Sequence, residues 1–204
     1  KRVEFKVGHG KVAILESNRQ RKDGSLVNVS IFAYPIMLGS VMHGIYAIYV
    51  DITEHKRSEK KLNYIATHDS LTGLPNRVYF ENRLTLEVEL SQRNNQKFAL
   101  LYVDLNDFKK VNDELGHAVG DALLKQVAGR FTELLRKSDV VARIGGDEFV
   151  LLLPETSKEK EIHKIVKKFF KAFEEPFVVQ DHKIYVNLSI GGVIFPDDGT
   201  DIVT

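Results

Sequence analysis

The sequence predicts an α/β protein, an α+β sandwich whose strands and helices share one core, preceded by a small antiparallel sheet. Three observations carry this. Phe98-Ala99-Leu100-Leu101-Tyr102-Val103 is a continuous apolar run, the pattern of a strand buried on both faces. Val140-Val141-Ala142-Arg143-Ile144 and Phe149-Val150-Leu151-Leu152-Leu153 are two more β-forming runs, and the Gly145-Gly146 pair between them signals a hairpin. Leu123, Leu124, Val127, Ala128, Phe131, Leu134 and Leu135 recur at helical spacing, as do Ile162, Ile165, Val166, Phe169, Phe170 and Phe173, so each set marks one buried helix face.

In chain order, residues up to about Thr53 read as a separate unit. Val12–Leu15 and Leu26–Ile31 are strands around an Arg21-Lys22-Asp23-Gly24-Ser25 turn, and Gly44–Val50 is a third strand ending at Asp51-Ile52-Thr53. Three strands without helices are not stable alone, so the chain is expected to start inside a domain. Residues 54–66 are charged, lack Gly and Pro, and read as a helix. Ile52, Leu62 and Ile65 allow a short parallel coiled coil there, and a solvated linker helix is the plainer alternative. Further on, Ile184–Ile190 alternates as a strand. The lysine-rich outer face of the Ile162–Phe173 helix reads as solvated surface.

Composition narrows the function. The 204 residues carry a net charge of +1, which gives no general attraction to nucleic acid or membrane. A hydrophobic content of 43% supports a core, and 28% charged residues is ordinary. The absence of cysteine excludes disulfides and thiolate metal sites, in keeping with a reducing, cytoplasmic setting. No run approaches a membrane span and the start is not a signal peptide, so any membrane tether is expected upstream.

The acids point to chemistry. Gly145 and Gly146 leave room for a phosphate to approach the backbone, and Asp147 and Glu148 stand beside that opening. Asp104 ends the Phe98–Val103 run, next to a loop bearing Lys109 and Lys110. Carboxylates beside phosphates suit Mg²⁺, which takes oxygen ligands and keeps substrate phosphates among them. If the two strands are neighbours, Asp104 and Asp147 share a metal, and two metals would support phosphoryl or nucleotidyl transfer. Each acid taken alone also fits an ordinary turn or a strand-end cap.

Taken with three more segments, these residues resemble the GGDEF diguanylate cyclases. Gly145-Gly146-Asp147-Glu148-Phe149 spells the family's name. His68-Asp69-Ser70-Leu71-Thr72-Gly73-Leu74-Pro75-Asn76-Arg77 is similar to its opening motif. Asp104 to Asp113, with Gly116-His117 and Gly120-Asp121, is similar to its metal and guanine segment, and Pro196-Asp197-Asp198-Gly199 to a loop near its end. The resemblance implies a palm-like nucleotidyl cyclase fold over residues 67–204. It implies Mg²⁺ (or Mn²⁺) on Asp104, Asp147 and the Leu105 carbonyl, with Glu148 on a second metal or helping to deprotonate the attacking hydroxyl. Asn112 and Asp121 would read guanine, while Phe108 and Lys109 would sit at the phosphates and His117 would line the pocket. Helix capping is the plainer role for Asn112 and Asp121, and packing for His117. An aspartate suits guanine because it accepts from the N1–H and N2–H₂ edge that adenine lacks.

The implied activity is condensation of two GTP into cyclic di-GMP and pyrophosphate by a homodimer, since each domain holds one nucleotide. Arg136 and Asp139 fit the family's product-inhibition motif, with five residues between them and Gly145; an Arg and an Asp at a helix end are also commonplace. Residues 1–53 look like the C-terminal half of a PAS sensor domain, with residues 54–66 as a signalling helix. The family normally continues past this point with a helix and strand bearing a Lys and an Arg, so the 67–204 domain is expected to be truncated at its C-terminus and the fragment to have an incomplete phosphate site. The alternative is a non-catalytic module that binds GTP or cyclic di-GMP and controls, for example, a downstream EAL phosphodiesterase.

Overall fold

The apolar strand read first in the sequence lies inside a four-stranded antiparallel sheet. The structure, a computed structural model, describes residues 13–200, so Val12 of the first expected strand lies outside the described residues. The chain divides into two compact units, one up to Tyr64 and one from Ile65. No helix among the described residues is long and apolar enough to cross a membrane.

In the first unit, β1 (Ala13–Gln20), β2 (Leu26–Leu38) and β3 (Val41–Asp51) form an antiparallel sheet in that order. The β1–β2 turn closes through Arg21 N–H to the Ser25 carbonyl at 2.8 Å, and Gly24 supplies the positive φ of 86°. All three strands are longer than expected. Pro35 in particular reads as a strand breaker, since it has no N–H to give a ladder. It nevertheless lies within β2, paired to Ile45 of β3. Helix α1 (Thr53–Thr67) follows, and its start is fixed by Thr53 N–H donating to Asp51 Oδ1 at 2.9 Å.

The second unit contains α2 (Arg77–Asn94), β4 (Phe98–Asn106), α3 (Phe108–Leu115), α4 (His117–Leu134), β5 (Val140–Gly145), β6 (Glu148–Leu153), α5 (Glu159–Phe173), β7 (Phe177–Val179), β8 (His182–Ile184) and β9 (Asn187–Phe195). Its main sheet runs β5-β6-β4-β9, all antiparallel, so β4 has a partner on each side. Strand alternation assigns the two faces. Ala99, Leu101, Val103 and Leu105 pack with Phe149, Leu151 and Leu153 against α4 and α5. There Phe131 meets Phe149, Phe169 and Phe173 at centroid distances of 5.4, 5.4 and 5.0 Å. On the opposite face Phe98, Val150 and Leu152 pack against Phe80 and Leu84 of α2.

Several expectations are corrected. β4 does not end at Asp104 but continues to Asn106, because backbone pairing to Leu188 and Asn187 carries on past the first polar side chain. Nor is it buried on both faces throughout, since Tyr102 is 45% exposed. Phe170, counted on the buried face of α5, is 45% exposed. The single strand expected over Ile184–Ile190 is two: Ile184 closes the β7–β8 hairpin against Phe177, and β9 starts afresh at Asn187.

Candidate active site

The acids meet where β4 and β6 run side by side. Asp104 stands opposite Glu148 on one flank and opposite Ser189 on the other. Glu148 is the first residue of β6, and Asp147 occupies the turn just before it. Burial, then the charges of Asp147 and Glu148, raises the Asp104 carboxyl above its ordinary value. All three acids therefore lie within electrostatic reach of one another. The sequence had required β4 and the hairpin to be neighbours, and they are.

The turn is held from behind. Gly146 has a left-handed φ of 50°, and a Cβ at Gly145 or Gly146 would meet nothing within 4 Å, so the space over both is open. Arg143 Nε and Nη2 donate to the Gly146 carbonyl at 2.9 and 2.7 Å, while Nη1 donates to Asp69 Oδ1 at 2.9 Å. Asp69 also accepts from the backbone and hydroxyl of Thr72, at 2.9 and 2.6 Å. Burial works against ionisation of Asp69, but the Thr72 hydrogen bonds and the Arg143 guanidinium outweigh it and hold the carboxyl below its ordinary value. Arg143 N–H further donates to the Pro75 carbonyl at 2.9 Å. The opening motif thus braces the hairpin turn, a role the sequence reading did not assign to Arg143 or Asp69; their opposite charges at motif positions were the available signal.

Tyr102 was also missed. Burial, followed by the neighbouring Glu148 carboxylate, raises the phenol above its ordinary value. Tyr102 and Asp104 share a face of β4, two residues apart, and the diagonal neighbour across an antiparallel pair is within reach of a long side chain. Beside them a cleft of about 520 Å³ is lined by Arg77, Phe80, Leu84, Leu100, Tyr102 and Val193. Its mainly apolar walls suit neither phosphate nor a hard cation.

The other candidates gather at the α3–α4 corner. Asp107 caps α3 with a left-handed φ of 61° and pairs with Lys110 at 2.6 Å. Phe108 is buried at the helix start and Lys109 is exposed. Gly116, at φ 86°, turns the chain and donates to the Asn112 carbonyl at 2.9 Å. His117 opens α4 on the surface, Asn112 is half-buried and Asp121 is exposed one turn into α4. The Leu105 side chain points into the core, which leaves only its backbone for a ligand. Arg136 and Asp139 lie away from this cluster in sequence, at the end of α4, where Asp139 Oδ2 accepts from Arg136 N–H at 2.9 Å. The Arg136 side chain is exposed.

The donor set fits a hard divalent cation. Asp104, Asp147 and Glu148 offer oxygen only, repel one another without a counter-charge, and lie beside an open glycine turn. Among the described residues no three His, Asp or Glu side chains form a ready-made metal cage. Mg²⁺ does not need one, because it is held by one or two carboxylates with substrate phosphates completing its shell.

A four-stranded antiparallel sheet between α2 on one face and α4 and α5 on the other, with acids on its two central strands, is the architecture of the palm-like nucleotidyl cyclase class. The chain belongs to the diguanylate cyclase GGDEF-domain family, whose pattern matches residues 66–204. It is similar to the signaling protein YkoW of Bacillus subtilis, at 35% identity over 175 residues, 85% of this chain and 22% of that protein. It is 39% identical over 147 residues to MucR of Pseudomonas aeruginosa, a bifunctional diguanylate cyclase/cyclic di-GMP phosphodiesterase, covering 72% of this chain and 21% of MucR. The chain therefore spans about a fifth of the length of these relatives. A solved structure of the GGDEF domain of TpbB from P. aeruginosa superposes with a TM-score of 0.62 at 38% identity, over 65% of this chain and 79% of that one.

Proposed function

We propose that the protein condenses two GTP into cyclic di-GMP and pyrophosphate as a homodimer. The observation that carries this reading is the cross-strand pair Asp104–Glu148, with Asp147 in the braced glycine turn beside it. Asp104, Asp147 and the Leu105 carbonyl would hold Mg²⁺ or Mn²⁺, and Glu148 would either hold a second cation or help take the proton of the attacking hydroxyl. The cation, when bound, neutralises the charge that builds up on the phosphates.

The remaining work falls to the chain's own residues. Asn112 and Asp121 read the guanine edge, and an ATP would leave the Asp121 carboxylate without its donors. The start of α3 at Phe108 and Lys109 receives the phosphates, where backbone N–H groups and the helix dipole favour negative charge. His117 lines the same corner, and Gly145 and Gly146 let the nucleotide approach the turn. The 3′-oxygen of each GTP attacks the α-phosphorus of the other, forming one P–O bond as the bond to pyrophosphate breaks. Two such events close the ring, so each domain contributes one nucleotide and catalysis is mainly orientation.

In this reading residues 1–53 are the C-terminal half of a PAS sensor domain, residues 54–66 a signalling helix and residues 67–204 the GGDEF domain. Arg136 and Asp139 form a feedback site for cyclic di-GMP, and the protein works in the cytoplasm. The test is product formation from GTP and Mg²⁺ by the full-length protein, resolved by chromatography, beside Asp147→Ala/Glu148→Ala. Cyclic di-GMP from the wild type alone supports the cyclase. A folded dimer that binds GTP yet gives no product transfers the assignment to a regulatory nucleotide-binding module.

A further inference from the structure

We infer that Gly120 is a positioning residue for base recognition: the space left by its missing side chain is the seat of the Asn112 amide. The inference rests on the reading that Asn112 contacts guanine. A Cβ built on Gly120 would lie 1.9 Å from Asn112 Oδ1, 3.0 Å from its Cγ and 3.3 Å from Cζ of Phe108. The first distance is an overlap, so the amide already occupies the volume a side chain would take. Gly120 is buried in α4 and has no positive φ, so its backbone does not call for glycine. Glycine is a poor residue inside a helix. What the position gains is the close approach of another side chain.

The surrounding geometry makes the seat specific. Asn112 comes from α3 and Gly120 from α4, and the two helices are joined by Gly116, whose carbonyl accepts from Gly120 N–H at 3.2 Å. Phe108 forms the second wall. No hydrogen bond to the Asn112 amide is seen among the described residues, so packing against Gly120 and Phe108 sets its orientation. Asp121 follows Gly120 directly, which ties the amide's seat and the second base-reading group to one turn of helix. Gly129, in the same helix, is the internal control: it is exposed, and a Cβ there would meet nothing within 4 Å.

The experiment compares Gly120→Ala, Asn112→Ala, the double variant and Gly129→Ala by thermal unfolding and by equilibrium binding of GTP and ATP, without turnover. Gly120→Ala is expected to weaken GTP about tenfold, the size of one neutral hydrogen bond, and to leave ATP unchanged. In the double variant the two losses should not add, because both remove the same amide contact. Unfolding should show the same coupling: Gly120→Ala lowers Tm markedly in the wild type and much less in the Asn112→Ala background, where only the 3.3 Å approach to Phe108 remains, whereas Gly129→Ala raises Tm in both. If Asn112→Ala weakens GTP and Gly120→Ala does not, the positioning role is overturned while the guanine reading stands. If Asn112→Ala binds GTP as the wild type does, the guanine reading falls and takes the positioning role with it. Should Gly120→Ala fail to fold alone, a double variant nearly as stable as Asn112→Ala supports the seat, and one that also fails overturns it.

Discussion

Asp104 carries a charge that the surrounding fold opposes. Its carboxyl is raised by burial and by Asp147 and Glu148, so the folded chain holds that proton more tightly than the unfolded chain. From the ordinary carboxylate value of 3.8 upward to the raised folded value, stability therefore falls as pH rises, and the loss persists above that window. Asp104→Asn in metal-free protein should raise Tm at pH 7, leave it unchanged near pH 3, and abolish product formation. Differential scanning calorimetry at the two pH values checks the sign; equal Tm at pH 7 would show that the acids do not strain one another. Asp69 has the opposite sign. Its carboxyl is lowered, so its contribution is present above 3.8 and is lost as pH falls through the folded value. The fold thus opposes the charge of one acid and supports that of the other. The placing of Asp104 beside Glu148 was open to a sequence reading only as far as a charge directly after an apolar run stands out, a signal that a strand-end cap would give equally. Arg143 was not legible, since a charge inside a β-forming run reads as an ordinary outward-facing residue.

The β5–β6 hairpin behaves as a braced arm. Three guanidinium hydrogen bonds tie the Gly146 carbonyl to the Asp69 loop through Arg143, whose side chain is only 11% exposed. Arg143→Ala should cost about 1–3 kcal/mol, because it leaves the half-buried Asp69 carboxylate with fewer partners. Product formation should fall about a hundredfold from a misplaced turn, with GTP affinity changed much less. A comparison of kcat with KM separates these outcomes, and a pure KM effect would make Arg143 a binding residue. Among the elements that escaped the sequence reading, α2 has a physical reason to. α2 buries Phe80 and Leu84 but also Glu87 and Ser91, so its inner face carries no clean apolar stripe. Glu87 faces Arg83 Nη1 at 2.7 Å, outside hydrogen-bond geometry. The Ile184–Ile190 alternation was real in one sense: Ile184, Val186 and Leu188 are all buried. The pairing partner changes between them, and side-chain alternation does not record which strand lies alongside.

For the whole molecule, the proposed chemistry needs two chains and therefore has a kinetic order. Specific activity should rise with protein concentration and level off once the dimer is filled, whereas a constant value across a thousandfold dilution would require a single chain to bring two nucleotides together. The order of the acidic and glycine motifs was legible from sequence because glycine turns and strand-end acids are local features. The cross-strand register of Asp104 with Glu148 is a long-range property, and only assembly of the sheet supplies it. That register has a consequence for how the molecule breathes. β4 is bonded to β6 on one side and to β9 on the other, so its amides should exchange with deuterium only on a wide opening of the second unit. Gly145 and Gly146 are exposed at the tip of the hairpin and should exchange by local opening alone. A nucleotide arriving there would slow exchange at the turn and at the α3–α4 corner while leaving β4 as it was. The floor of the site should therefore be still before any ligand comes, so that the ordering entropy of binding falls on a handful of residues.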